Sequence, residues 1–208
     1  MTRSSVTPRR AKGGRSETPR IILITGQCSG VGKTALATDI IRAFPEQDWL
    51  ALKITGHHTD RITSEAGHAF HAESDREGKS DTSRYLAAGA NQSFLVEIRA
   101  GYFTEAMREI NLLIAGAETV LVEGNSVLEY LRPSLALLVL DPRKCDFKPS
   151  ARKALSQIDA VVLRCAIDTA HWQGIDPLRI VSIPNYLQPF HRPLRIGLRC
   201  LIRRSLAS

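Results

Sequence analysis

Short apolar runs alternate along this chain with segments whose apolar residues recur every three or four positions. The runs are mostly aliphatic, a pattern typical of strands that are buried on both faces of a parallel sheet. We predict strands at residues 21–24, 49–55, 92–98, 119–123, 135–140, 160–163 and 179–183. We predict helices at residues 35–44, 81–89 and 103–115, with further helical segments at 150–158 and 169–177. Strands that alternate with helices in this way indicate an α/β domain.

The two ends of the chain and one internal segment break this pattern. Residues 1–19 contain almost no large apolar side chain, so we predict a disordered basic tail. Residues 59–79 are polar, and we expect a long flexible loop there. Residues 191–208 predict a basic amphipathic helix, which packs on the sheet in the interpretation we favour and lies on an anionic membrane in the alternative. Residues 20–190 would then form a single domain.

The formal net charge of +7 is concentrated at the two ends. Residues 1–20 carry six basic residues and one acid, and residues 191–208 carry five arginines and no acid, which is +5 at each end. The rest of the chain therefore has a net charge of −3, the difference between +7 and +10. A body with that charge does not predict a nucleic-acid partner, and we interpret the basic ends as solubilising segments.

The composition indicates a cytoplasmic domain of ordinary size. Hydrophobic residues make up 43% and charged residues 24% of the 208 positions, as in soluble globular proteins. The four cysteines are scattered without a C-x-x-C pair, which favours reduced thiols over a disulfide or zinc scaffold. The longest aliphatic run, residues 135–140, is too short for a transmembrane segment, and residues 1–19 lack the apolar core of a signal peptide.

The segment GQCSGVGKT at residues 26–34 carries the strongest chemical signal. It joins a predicted strand to a predicted helix, and glycines followed by Lys-Thr in that position are typical of a phosphate-binding P-loop. Lys33 is expected to reach the β- and γ-phosphates of a nucleotide, and Thr34 to hold Mg²⁺. The strict motif has its first glycine at position 27, where this chain has Gln27. The predicted nucleotide-binding residues of the loop are Gly26, Gln27, Cys28, Ser29, Gly30, Val31, Gly32, Lys33, Thr34 and Ala35.

This loop makes the predicted fold a P-loop NTPase, an α/β three-layer sandwich whose mostly parallel sheet is flanked by helices. Acidic residues at two strand ends complete the expected site. Glu123 ends the predicted strand 119–123, and Asp60 follows the strand 49–55. Since the carboxyl ends of parallel strands share one edge of a sheet, both acids are predicted Mg²⁺ ligands beside Thr34. Lys33, Asp60 and Glu123 are the predicted catalytic residues.

Two further sets of residues are weaker candidates. His57, His58, His68 and His71, with acids nearby, form a loose set of transition-metal ligands, although polar loops collect such residues without a metal. The N-K-x-D motif that precedes the base pocket of Ras-like GTPases is absent. Asn185 is a candidate for bonding a purine edge, and a structural asparagine in a turn is the alternative.

Taken in order, these motifs resemble those of the MobB family, the molybdopterin-guanine dinucleotide biosynthesis adaptor proteins. The resemblance covers residues 20–140 and is carried by four segments: SGVGKT at 29–34, KITGHHTD at 53–60, DTSR at 81–84 with AGA at 88–90, and LVEG at 121–124. Ile54, Gly56 and His58 depart from the family pattern, and the segment after Asp60 is longer than the family's.

The resemblance implies a P-loop fold, binding of GTP with Mg²⁺, and a homodimer that assists a molybdopterin guanylyltransferase. It further implies that Lys33, Thr34, Asp60 and Glu123 serve the nucleotide and Mg²⁺, and that Asp81 and Arg84 lie on a helix facing the site. We therefore predict an adaptor in molybdenum cofactor, or related metallocofactor, biosynthesis. Its GTP hydrolysis should be slow, because the sequence presents no obvious water-orienting glutamine or arginine finger.

Two alternatives remain open. The loop from Gly26 to Gly32 is one residue longer than the strict motif and is similar to that of dethiobiotin synthetase, which transfers a phosphoryl group to a carbamate. A kinase or ligase of that kind would use ATP, contact its small-molecule substrate through Lys53, His57 and His58, and close residues 61–79 over the site. A regulator tethered to nucleic acid by its basic ends is the third hypothesis.

Overall fold

The computed structural model describes residues 18–57, 62, 64–167, 172 and 174–207, with the side chain of His57 left out. The strands in these residues are β1 Arg20–Gly26, β2 Trp49–His57, β3 His68–Ala72, β4 Gln92–Arg99, β5 Thr119–Glu123, β6 Leu135–Leu140, β7 Ala160–Leu163 and β8 Asn185–Leu187. The helices are α1 Lys33–Ala43, α2 Asp81–Ala88, α3 Phe103–Ala115, α4 Pro149–Ala154, α5 Pro177–Val181 and α6 Ile196–Ala207. A short 3₁₀ helix, Ser126–Glu129, lies between β5 and β6.

These strands form one sheet in the order β3-β4-β2-β5-β1-β6-β7-β8. The edge strand β3 runs antiparallel to β4, and the other neighbours are parallel. Parallel pairing brings the carboxyl ends of β1, β2, β5, β6 and β7 to the same edge of the sheet. The glycine-rich loop that follows β1 therefore begins at the middle of this edge, between the ends of β5 and β6.

Alternate residues of β1 divide the core into two layers. Ile22 and Ile24 are buried in a cluster with residues of α1, α2 and α6, whereas Ile21 and Leu23 are buried in a cluster with residues of α3. A third buried cluster joins β6 and β7 to α4 and α5. Helices therefore cover both faces of a mostly parallel sheet. The predicted α/β three-layer sandwich is confirmed.

The polar segment at residues 59–79, predicted to be a loop, contains a strand. Its sequence HAFHA at residues 68–72 forms β3, which pairs with β4 at the edge of the sheet. The pairing buries His68, and Phe70 packs against the core. Exposure increases along this edge strand from His68 to Ala72 instead of alternating, so its composition carries no period-two signal by which to identify it. Of the tail predicted at residues 1–19, residues 1–17 lie outside the described residues.

The predicted strand at residues 179–183 is wrong. The segment forms most of α5, because Pro177 occupies its first position and Asp176 caps it by accepting a hydrogen bond from the backbone N–H of Leu178 at 3.0 Å. The last strand follows as β8, parallel to β7. A local cap and proline therefore override the β propensity of the isoleucine and valine in this segment.

The basic carboxyl-terminal segment forms α6 and packs on the sheet. Leu198, Ile202 and Leu206 are buried in the same cluster as α1, while Arg199 and Arg203 are exposed. This is the arrangement that the sequence favoured over a helix lying on a membrane. In the described part of the chain, no helix is both long and apolar enough to cross a bilayer.

Replacement of Ile202, which is fully buried, tests the packing of α6. The Ile202→Ala variant is expected to lower the free energy of unfolding by about 2–4 kcal/mol, because it leaves a cavity between α6 and the sheet. The neighbouring Arg203→Ala variant changes an exposed side chain and is expected to stay within about 0.5 kcal/mol of the wild type. Urea denaturation measures both, and equal values for the two variants would contradict the packing of α6.

Candidate functional site

Two glycines shape the loop that connects β1 to α1. A Cβ on Gly26 would lie 2.7 Å from Val31 Cγ1 and 2.8 Å from Lys33 Cγ, so glycine is required for the lysine side chain to cross the loop. Gly32, at the start of α1, has a φ of +97°, in the left-handed region that favours glycine. Gly26 thus provides the close approach expected of the first glycine of the motif, one position early.

Asn125 fixes the beginning of this loop. Its Oδ1 accepts hydrogen bonds from the Gly26 N–H and the Thr25 hydroxyl, both at 3.0 Å, and its Nδ2 donates to the Gly26 carbonyl at 2.8 Å. No sequence motif pointed to Asn125. The sequence offered one indication: a polar residue two positions after Glu123, at the edge of the sheet where the glycine-rich loop begins. The three bonds hold the end of β1 against the end of β5.

A cluster of charged and polar side chains surrounds Glu123, which is 1% exposed. The carboxylate accepts hydrogen bonds from the Thr34 hydroxyl at 2.8 Å, from the Tyr85 hydroxyl and from the Lys53 ammonium. Lys53 also donates to Asp81 at 2.8 Å. Lys53 and Glu123 are aligned on adjacent parallel strands, which is why their side chains meet. The structure therefore brings Thr34 and Glu123, predicted from separate motifs, into contact.

The charges of this cluster stabilise one another. Burial lowers the pKa of Lys53, but the Glu123 carboxylate and hydrogen bonds to both acids outweigh burial and raise the pKa above its ordinary value. Burial raises the pKa of Asp81, but the hydrogen bond and charge of Lys53 bring it below the ordinary value. Burial and the charge of Glu123 raise the pKa of Tyr85 well above its ordinary value, so its hydroxyl remains a neutral donor. Lys53 and Asp81 therefore both stay charged at neutral pH.

The cost of burying the Lys33 charge is offset less by the surrounding protein than the cost of burying the Lys53 charge. The Lys33 ammonium lies 3.4 Å from the carbonyl oxygen of Cys28. Burial lowers its pKa, and the charges of Lys53 and Lys148 lower it further against the opposing attraction of Glu123. A partly desolvated ammonium group of this kind is stabilised by an additional anion nearby. The position of Lys33, in the first turn of a helix after a glycine-rich loop, suits a phosphate group.

The donor set also fits Mg²⁺. This ion takes oxygen ligands and usually binds through one or two carboxylates together with substrate phosphates. Thr34 and Glu123 offer a hydroxyl and a carboxylate at one point, and Asp81 supplies a second carboxylate on the other side of Lys53. Arg84, which the resemblance placed beside Asp81, lies 3.7 Å from that carboxylate and is largely exposed. Asp60, the other predicted ligand, lies outside the described residues.

Several other predicted residues are not brought to this point. The Nε2 atom of His68 lies 3.1 Å from Oε1 of Glu109, and the Nε2 atom of His71 lies 3.2 Å from Oε2 of Glu97. Across the described residues, no group of three or more His, Cys, Asp or Glu side chains is arranged to hold a metal ion. His58 and the side chain of His57 lie outside that part of the chain.

Asn185 also lies away from the glycine-rich loop. The predicted role of Asn185 in binding the purine base of a nucleotide is therefore corrected. Asn185 begins β8, so it lies at the amino end of a parallel strand, on the opposite edge of the sheet from the glycine-rich loop. Its Nδ2 donates to the carbonyl of Ile183 at 2.6 Å, the contact of a structural asparagine in a turn.

Gln27, which stands where the strict motif has glycine, is fully buried and joins the loop to the segment after β6. Its Nε2 donates to the carbonyls of Lys144 at 2.7 Å and Asp146 at 3.0 Å, and its Oε1 accepts from the N–H of Asp141 at 2.9 Å. Glycine has no side chain with which to form these bonds. The departure from the motif therefore fastens residues 141–146 against the loop.

Arg164, which follows β7, holds the other side of the loop. The side chain is 3% exposed and donates to the carbonyls of Gly32 and of Gln188, the latter at 3.1 Å. Its guanidinium lies 4.5 Å from the centre of the Phe190 ring. Burial lowers its pKa to about 10, and its Nε has no hydrogen-bond partner among the described residues. No sequence motif pointed to Arg164, whose only signal was its place at the end of a strand.

Comparison with known proteins identifies the fold. No protein-family model matches this chain, and no curated protein matches it. HypB from Helicobacter pylori, solved with nickel, superposes with a TM-score of 0.53 at 12% identity over 91% of this chain and 88% of HypB. The likeness supports the fold, a mostly parallel sheet with helices on both faces, which is the fold class predicted from the sequence.

Two further solved structures are similar at lower TM-scores. LpxK from Aquifex aeolicus, solved with ATP, has a TM-score of 0.47 at 16% identity over 81% of this chain. The chain spans about half the length of LpxK, 53%. MobB from Bacillus subtilis has a TM-score of 0.39 at 17% identity over 89% of this chain and 97% of MobB.

Proposed function

We propose that this chain binds a nucleoside triphosphate with Mg²⁺ on the loop after β1 and hydrolyses or transfers its γ-phosphate. The observation that carries the proposal is the contact between Thr34 and the buried Glu123, next to Lys33 in the first turn of α1. In P-loop NTPases a lysine, a threonine or serine and an acid from a neighbouring strand have these relative positions. The partly desolvated ammonium of Lys33 adds electrostatic support.

The chain's own residues can perform the chemistry as follows. In hydrolysis, a water oxygen bonds to the γ-phosphorus while the bond from that phosphorus to the β–γ bridging oxygen breaks. The nucleoside diphosphate leaves with the electron pair, and the water proton passes to solvent or to the released phosphate. Lys33 and the backbone N–H groups of the loop stabilise the charge on the phosphate oxygens. Mg²⁺ bound by Thr34 and Glu123 would neutralise further phosphate charge.

At a finer level we propose that the nucleotide is GTP and that the chain is an adaptor of MobB type. Such an adaptor would be a cytoplasmic homodimer that assists a molybdopterin guanylyltransferase in molybdenum cofactor biosynthesis. The support is spatial: three segments that carry the resemblance contribute Thr34, Asp81 and Glu123, and these side chains lie in one cluster with Lys53. Lys53 begins the fourth segment.

An ATP-dependent kinase or ligase similar to dethiobiotin synthetase is the second candidate. The favouring observation is Lys53, whose ammonium lies between Asp81 and Glu123 beside the expected Mg²⁺ ligands. A cation at that point suits an anionic small-molecule substrate placed next to the γ-phosphate. The two candidates differ in what stimulates nucleotide consumption, which is a partner protein for the adaptor and a small molecule for the enzyme.

Calorimetric titration of non-hydrolysable GTP and ATP analogues, with and without Mg²⁺, tests the proposal. Saturable binding that requires Mg²⁺ is expected. A preference for GTP supports the adaptor and a preference for ATP supports the kinase or ligase. If a folded sample binds neither analogue, the proposed function is wrong.

A further inference from the structure

We propose that Lys144 and Lys148 contact the terminal phosphate of the bound triphosphate. They would supply from the same chain the positive charge that an arginine finger supplies in other P-loop NTPases. This inference rests on the proposed function, because it assigns a role at the same phosphate site. The ammonium groups of Lys144 and Lys148 lie on the loop after β1, although the backbone of both residues belongs to the segment between β6 and α4.

The contacts of the two lysines place them at the exposed part of the loop. Lys148 Nζ donates to the Ser29 hydroxyl at 3.0 Å. Lys144 Nζ lies 3.2 Å from the carbonyl of Gly30 and 3.4 Å from that of Ser29. Within the described residues, neither ammonium forms an ion pair with a carboxylate. Both charges therefore remain available to an anion bound at the loop.

The backbone of the segment is fastened to the loop, so the lysines do not depend on long side chains alone for their position. The Lys148 N–H donates to the Gln27 carbonyl at 2.9 Å. The buried Gln27 side chain adds three bonds to residues 141–146. A cation delivered by an anchored segment loses less conformational entropy when it meets a phosphate. Gln27 is accordingly a positioning residue for the two lysines.

Electrostatics favours a highly charged ligand at this point. Lys33, Lys144 and Lys148 bring three ammonium groups to one short loop, and they repel one another until an anion binds. A terminal phosphate carries the largest charge of a nucleoside triphosphate. As the bond to the bridging oxygen breaks, charge spreads over the γ-phosphate oxygens, where a nearby ammonium stabilises the transition state.

The test compares full-length Lys144→Ala, Lys148→Ala and the double variant with the wild type. Lys153→Ala is the matched control, because Lys153 lies on the following helix α4, is 70% exposed and pairs with Glu129 at 3.4 Å. Calorimetry gives the affinities for non-hydrolysable GTP and ATP analogues and for GDP and ADP. Single-turnover assays give the rate of hydrolysis.

Each single variant is expected to lose about 10-fold in affinity for the triphosphate analogue, while its affinity for the diphosphate stays within about 2-fold. Hydrolysis by the double variant is expected to fall by about 100-fold. Lys148→Arg retains the charge and is expected to restore most of the affinity. A contact to the terminal phosphate has this selective effect, because the diphosphate lacks that phosphate.

The inference is overturned if the lysine variants match Lys153→Ala, or if triphosphate and diphosphate binding weaken equally. Lys33→Ala separates the two proposals. Where Lys33 is needed for binding and Lys144 and Lys148 are not, the proposed function stands and this inference fails. Where the wild type binds no nucleotide, both fail.

Discussion

The Lys33→Ala variant is expected to lose at least about 100-fold in affinity for a nucleoside triphosphate, which is about 3 kcal/mol of binding free energy. Lys33 is the ammonium group in the first turn of α1, and its side chain crosses the loop over Gly26. Removing the Lys33 ammonium removes its charge-assisted hydrogen bonds to the phosphates. The backbone N–H groups of the loop alone do not replace those bonds.

The same variant is expected to be at least as stable as the wild type. Burial and the charges of Lys53 and Lys148 lower the pKa of Lys33 in the folded chain. A lysine whose folded-state pKa is lowered destabilises the fold most below that pKa, and the penalty fades as the pH rises through it. The Lys33→Ala substitution removes the ammonium group and with it this penalty.

Calorimetry with the Mg²⁺-bound analogues and thermal denaturation measure the two effects. Lys79→Ala is the matched control, because Lys79 is 78% exposed and pairs with Glu77 outside the cluster around Glu123. Equal affinities for Lys33→Ala and Lys79→Ala would show that the loop is not the phosphate site. A Lys33→Ala variant that binds no nucleotide because it has unfolded would contradict the expected stability.

The second large effect concerns Glu123. The Glu123→Ala variant is expected to lower the free energy of unfolding by about 3 kcal/mol, because it removes the carboxylate that Lys53, Tyr85 and Thr34 share. Among the described residues, Lys53 would keep Asp81 as its ion-pair partner, and the side chain of Asp81 is 38% exposed. The variant is also expected to lose the dependence of nucleotide affinity on Mg²⁺, since Thr34 would remain without the buried carboxylate.

Urea denaturation and Mg²⁺ titrations measure these two losses. Glu118→Ala, an exposed acid immediately before β5, is the control and is expected to stay within about 0.5 kcal/mol of the wild type. In the double variant Lys53→Met/Glu123→Gln, stability is expected to recover in part, since neither member of the Lys53–Glu123 pair is then left as an unpaired buried charge. Mg²⁺ dependence should stay lost in that variant. If it persists, Glu123 is not a magnesium ligand.

Where the sequence was informative, the signals were local. Four consecutive aliphatic residues before Gly26 predict a buried strand, and Lys33 and Thr34 after Gly32 predict a helix that starts at a phosphate site. Glu123 was placed at a strand end by the same kind of pattern. The prediction at 179–183 failed because Asp176 and Pro177 start a helix there, although its apolar residues favour a strand.

By itself, the sequence determined the α/β fold and the position of the glycine-rich loop, because both depend on hydrophobic periodicity and on adjacent residues. Only the tertiary structure decided which distant side chains meet that loop. Asn125 reaches Gly26 across 99 residues, and Gln27 reaches Lys144 across 117. These contacts follow from strand order, which places the ends of β5 and β6 on either side of β1. Strand order depends on the packing of the whole sheet, which no local segment encodes.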